Sequence, residues 1–217
     1  MLDDCVIERT HKTVLRLTST FPKSPPATLL ERGISPDNIA AIISVLSEIN
    51  ISLTAEETID HAFVRRDDET PPFPIGRFSD GSIAVYYSAL EEMTCQRELE
   101  FHLGSTISEA QDNAFLYPRF YSLISCNYSG ITADLCGQEN AHPELISETK
   151  EGYPFCQQLG TQAIEREIDG FVTPSARNNG GTCLPVFARS SLSEPTVKFQ
   201  VKLIISPTEI EFHPLPR

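Results

Sequence analysis

The chain has 217 residues, 40% of them hydrophobic and 22% charged, with a formal net charge of −13. This suits one good-sized soluble domain, or a domain with an extension, and it disfavours a general binder of nucleic acid or anionic lipid. No stretch is apolar for long enough to cross a bilayer. The opening MLDDCVIERTHKTVLRL carries acids where a signal peptide has basic residues, and no apolar core follows, so a cytoplasmic protein is expected.

In chain order, FPKSPPATLL (21–30) reads as a proline-punctuated loop and SPDNIAAIISVLSEIN (35–50) as an amphipathic helix with Pro36 near its first turn. Thr54 with Glu57 forms a capping box for a second helix over about 54–66. DDETPPFP (67–74) is acidic, then proline-rich, and marks the junction between a helical N-terminal extension (1–70) and the main domain (71–217). SIAVYY (82–87) reads as a strand bounded by Asp80 and Gly81. Ser88 with Glu91 is a second capping box, which predicts a helix from directly after Tyr87 to about His102. Leu90, Met93 and Phe101 give that helix an apolar side, with Glu98 at its margin, and Cys95, Leu99 and Leu103 fall round the back, so burial on more than one side is expected. RFYSLISCNY (119–128) is a strand and YPFCQQLGTQAIERE (153–167) a helix. DGFVTP (169–174), TCLPVFA (182–188) and VKFQVKLII (197–205) are strands, the second with an edge or bulge at Pro185. The order lacks steady β-α-β alternation, so the fold class is α+β.

The six cysteines (Cys5, Cys95, Cys126, Cys136, Cys156 and Cys183) show no C-x-x-C spacing and read as buried free thiols. The five histidines are scattered, and neither metal-ligand spacing nor a phosphate-binding glycine loop is found.

A few residues carry candidate chemistry. Arg77 follows Gly76 at a strand entry, where its planar fork can hold a phosphate or carboxylate; the plainer reading is a surface ion pair. Tyr86 and Tyr87 point to opposite faces of their strand, one toward the core and one toward a cleft. Glu98, set against apolar surface, has a cost unless it is paired or used. In TPSARNNGG (173–181), Ser175 is a hydroxyl at a strand end; the plainer reading is a hairpin serine bonded to its own backbone. No histidine or lysine lies near it in sequence to make it a nucleophile.

The series G-R-F, V-Y-Y, C-Q-R-E and, much later, D-G-F-V-T-P-S-A-R resembles the RES domain, a family named for an arginine, a glutamate and a serine. Those letters fall on Arg77, Glu98 and Ser175, and the family's tyrosine on Tyr87. The resemblance covers about residues 75–205 and places the RES domain at 71–217. It implies an ADP-ribosyltransferase-like fold, with a mixed split β-sheet, flanking helices and a cleft for NAD. It also implies an enzyme that cleaves the nicotinamide–ribose bond of NAD by phosphorolysis or hydrolysis, as the toxin of a toxin–antitoxin pair. Glu98 would stabilise the oxocarbenium-like ribose, Tyr87 would pack on the nicotinamide or ribose, and Arg77 would hold a diphosphate or the attacking phosphate. Ser175 would orient the ribose, and Arg177 would be a further anion contact. Arg65 or Arg66 reaching the cleft is a weaker expectation. NAD is then substrate, inorganic phosphate a co-substrate, and neither metal nor separate cofactor is needed. An Xre-type antitoxin and a second copy of the chain are the expected partners. Two other readings stand beside this one: transfer of ADP-ribose to a macromolecule, and an idle RES-like domain kept for partner binding.

Overall fold

In a computed structural model of the protein, the described residues are 1–19, 54–109, 119–205 and 210–215, with 33–35, 38, 39, 41, 42 and 45 between. The predicted loop over 21–30 and most of the predicted helix over 35–50 lie outside them. The elements in chain order are β1 (Val6–Ser19), α1 (Ala55–Phe63), α2 (Glu92–Glu109), β2 (Arg119–Asp134), α3 (Tyr153–Glu165), β3 (Gly170–Pro174), β4 (Thr182–Cys183), β5 (Leu192–Ile205) and β6 (Ile210–Pro214).

β2 organises the sheet. One of its edges is taken by β1, antiparallel, from Val6 opposite Asp134 to Ser19 opposite Tyr121. Its other edge is split: β5 pairs antiparallel with Arg119–Tyr128, and β3 pairs parallel with Thr132–Asp134. β6 lies beyond β5 and β4 beyond β3. With both edges filled, β2 runs through the interior, and every residue from Phe120 to Cys126 is buried. The sheet is thus mixed and split, in an α+β fold.

Residues 6–19, placed by the sequence reading in a helical extension, form a full-length strand. Val6, Ile7, Thr10, Thr13, Val14 and Thr18 are β-branched, and pairing with β2 satisfies the backbone groups along one of its edges. SIAVYY differs in the other direction. It makes no regular strand, only single bridges at Tyr86 to Val186 and, just beyond, at Ala89 to both Leu15 and Cys183. Val186 also bridges Gly170. Segments 86–89 and 182–186 thereby close a ring with β1, β2 and β3, and Val14, Tyr86, Cys126, Tyr128, Leu184 and Val186 form one core cluster.

The ring also moves the start of α2. Ser88 donates to the Leu184 carbonyl at 2.5 Å and its own carbonyl accepts from Leu184 N–H at 2.8 Å, so it cannot cap a helix. The chain bridges at Ala89, bends through Leu90 and Glu91, and α2 begins at Glu92. Glu91 instead accepts from the Thr94 hydroxyl at 2.6 Å and from Thr182 N–H at 3.0 Å. Leu90 lies before the helix and Met93 is exposed; the inward side carries Cys95, Leu99 and Leu103. The Thr54–Glu57 capping box forms as expected, with Glu57 N–H donating to Thr54 Oγ1 at 3.2 Å and Thr54 N–H to Glu57 Oε2 at 2.8 Å.

α3 starts with Pro154 in its first turn and buries Cys156, Leu159, Gly160 and Ala163, a single stripe at helical spacing. Gly160 has to be glycine, since a Cβ there would strike the backbone carbonyl of Phe78. That close approach sets α3 beneath the G-R-F turn and over Phe78, Phe171 and Phe187, whose rings meet edge to face at 5.4 and 4.9 Å.

Candidate active site

A cavity of about 260 Å³ opens beside the ring, walled by β1, the 74–78 turn, α2 and the segment after β3. Its ionisable lining is Arg16, Arg77, Arg177, Glu98 and His102.

Arg77 is presented by a tight turn in which Gly76 N–H donates to the Ser79 carbonyl at 2.8 Å. Gly76 leaves room for the Tyr87 phenol, which a Cβ would meet, and the Tyr87 hydroxyl accepts from Phe78 N–H at 3.0 Å. The motif glycine thus exists for the motif tyrosine. Arg77 Nη1 donates to the carbonyls of Glu144 and Leu145 at 3.2 and 3.0 Å, and Nη2 to that of Ser147 at 2.8 Å. Its guanidinium also lies 5.4 Å from the Tyr153 ring centre. These contacts fix the fork in place and spend no carboxylate on it.

Arg177 donates to the same Ser147 carbonyl at 3.3 Å and stacks on Phe101 at 3.4 Å. Its Nε is buried with no hydrogen-bond partner. Burial, and then the nearby Arg77 charge, hold its pKa below the usual arginine range. Arg16 comes from β1, its guanidinium 4.8 Å from the Tyr86 ring centre and its Nη1 buried and unpartnered. Among the described residues, none of the three forms an ion pair. Three guanidiniums thus face one cavity in an acidic protein with a single carboxylate, Glu98, in its lining and no ion-pair contact to it. Keeping cations so is costly, and an anionic ligand removes the cost.

Glu98 stands on α2 with Oε1 accepting from the Ser175 hydroxyl at 2.7 Å and from the Cys183 thiol at 3.6 Å. Oε2 has no hydrogen-bond partner among the described residues. Ser175 is buried, and its oxygen accepts from Arg177 and Asn178 N–H, both at 3.1 Å. The plainer reading of this serine holds, since it closes its own turn, and its hydroxyl also donates to Glu98. Its proton goes to Glu98 and its lone pairs to two backbone N–H groups, which ties Glu98 to the 175–178 turn.

The two tyrosines divide as their alternation requires. Tyr87 lines the cavity, whereas Tyr86 is fully buried in the core. Burial raises both phenols above their ordinary pKa, so both stay protonated. Arg65 and Arg66 do not line the cavity; they pair with Asp67 and Glu69 at the surface. Sequence reasoning missed Arg16, Phe101, His102 and Tyr153. The one signal for Arg16 was a single arginine inside the apolar run VLRL (14–17). His102 lies one helical turn after Glu98; burial lowers its pKa, the Glu98 charge opposes that, and the charges of Arg177, Arg16 and Arg77 add to the lowering, so it is neutral near pH 7.

A family model described as the RES domain matches residues 53–206. No curated protein matches the chain. Among solved structures, the chain is similar to one in the crystal structure of the M. tuberculosis MbcT–MbcA toxin–antitoxin complex, with 17% sequence identity and a TM-score of 0.52, over 95% of this chain and 91% of that one. Among the described residues, no group of histidine, cysteine and acidic side chains could hold a metal ion, and no helix is long and apolar enough to cross a membrane.

Proposed function

This chain belongs to the RES domain family, and on that premise we propose that it cleaves the nicotinamide–ribose bond of NAD. The observation that carries the reading is the convergence of Arg16, Arg77 and Arg177, none of them ion-paired among the described residues, on a cavity that also holds Glu98 and Tyr87. NAD answers each part of that set. Its diphosphate meets the guanidiniums, its rings meet Tyr87, Tyr153 and Phe101, and its reacting ribose meets the one carboxylate.

As the bond between ribose C1 and the nicotinamide nitrogen breaks, its electron pair leaves with nicotinamide, which departs neutral. Positive charge develops on the ribose, and the Glu98 carboxylate, held through Oε1, stabilises it. An oxygen of water or inorganic phosphate then bonds to C1; attack by water releases a proton. The arginines bind and orient the substrate. Ser175 fixes Glu98.

The likeness to the MbcT–MbcA complex supports a second part of the reading: that the activity is a toxin's and an antitoxin restrains it. Purified protein incubated with NAD, with and without inorganic phosphate, tests the first part when products are separated by chromatography. Nicotinamide release is the expected result. A phosphorylated ADP-ribose formed only with phosphate identifies phosphorolysis, and free ADP-ribose identifies hydrolysis. No release in either tube, with wild-type protein shown to be folded, overturns the reading.

A further inference from the structure

Glu98 has a second donor besides the family serine, and nothing in the R-E-S pattern accounts for it. Cys183 lies on β4, which is held from several sides. Its backbone pairs with Thr173 of β3 and with Ala89. Its neighbour Thr182 donates to Glu91 Oε2 at 3.0 Å and accepts from Leu90 N–H at 3.0 Å. These ties join β4 to the start of α2, and Cys183 Sγ comes to 3.6 Å from Glu98 Oε1. Cys183 lines the cavity as well.

We propose that Cys183 is a positioning residue for Glu98, its thiol proton and the Ser175 hydroxyl together pinning Oε1 so that Oε2 alone is turned to the reacting ribose. The catalytic consequence rests on the NAD-cleaving reading; the contact itself does not. Two donors on one oxygen make the carboxylate's oxygens inequivalent and restrain its rotation. Burial, followed by the Glu98 charge, raises the thiol well above its ordinary pKa, so the sulfur keeps the proton that this role needs. A thiolate would repel Glu98 instead.

Two readouts separate the contact from the chemistry. Raman difference spectra between wild type and Cys183→Ala isolate the Cys183 S–H stretch, which is expected at the lower frequency of a bonded thiol and shifts up in Glu98→Ala. Kinetically, Cys183→Ala is expected to lower kcat about fivefold with little change in KM, as for loss of one weak donor to a charged acceptor. Cys183→Ser, which keeps a donor, recovers most of that loss. An S–H band that Glu98→Ala leaves in place overturns the contact whatever the substrate. Wild-type kcat in Cys183→Ala, or a serine variant no better than alanine, overturns the positioning role. A wild-type protein that leaves NAD intact overturns the substrate reading alone, and the Raman band then decides the contact.

Discussion

Eight of the described arginines fall into two regions. Arg65, Arg66, Arg97, Arg166 and Arg189 sit on the outside, each against a carboxylate: Asp67, Glu69, Glu100, Asp3, and Glu56 with Asp60. Arg16, Arg77 and Arg177 line the cavity and meet carbonyls and aromatic rings instead. In a chain with 30 acids against 17 basic residues, carboxylates are plentiful, so the lack of an ion pair to these three among the described residues is a property of the site. The outer pairs are solvent-screened and contribute little to stability. The inner cations cost stability unless an anionic ligand neutralises them.

That contrast can be broken at several points. The largest effect is expected at the one inner carboxylate. Glu98→Gln keeps an acceptor for Ser175 but removes the charge, and NAD cleavage should fall by about a hundredfold or more, read as nicotinamide release. A near-wild-type rate would take Glu98 out of the chemistry. Next is Arg16→Met, which replaces a half-buried cation with an apolar chain of similar length. KM for NAD should rise about tenfold or more, while the melting temperature holds or rises because an unpaired charge has gone. A lower melting temperature with unchanged KM would make Arg16 structural.

A smaller effect follows from His102. Its folded-state pKa lies below the usual 6.5, so as pH falls through that value the unfolded chain takes up a proton that the folded protein refuses. Stability should therefore fall as pH drops below about 6.5. The gap in melting temperature between about pH 7.5 and about pH 5.5 should narrow in His102→Gln. The smallest effect belongs to the outer region. Arg189→Ala, which frees α1 from the turn before β5, should cost about 1 kcal/mol or less in denaturant unfolding and leave NAD cleavage unchanged. A rate loss there would erase the distinction between the two regions.

The two capping boxes show what was legible in the sequence. Thr54–Glu57 and Ser88–Glu91 have the same spacing, and only the first forms. The first needs nothing beyond its own turn, whereas Ser88 is claimed by Leu184, 96 residues away. Local signals were reliable where no distant strand competed, as in α3 with its Pro154 start and buried stripe. β1 was missed because its partner edge on β2 is far along the chain, and Arg16 was missed with it. For the site, Arg77, Tyr87, Glu98 and Ser175 could be named from short motifs at fitting intervals. Their geometry could not. The bond between Glu98 and Ser175 joins residues 77 apart, and no local pattern shows that the serine's proton is spent on the glutamate.

The strand that supplies Arg16 has a further consequence. The family match begins at residue 53, but β1 ends at Ser19. A fragment cut to the match would leave β2 with a row of bare backbone donors and acceptors where Val6–Ser19 had lain, beside buried apolar residues. Such an edge is a template for pairing with another copy. The unit that family resemblance recognises is therefore smaller than the unit that can fold, and a protein trimmed to the former should aggregate before its chemistry can be asked about.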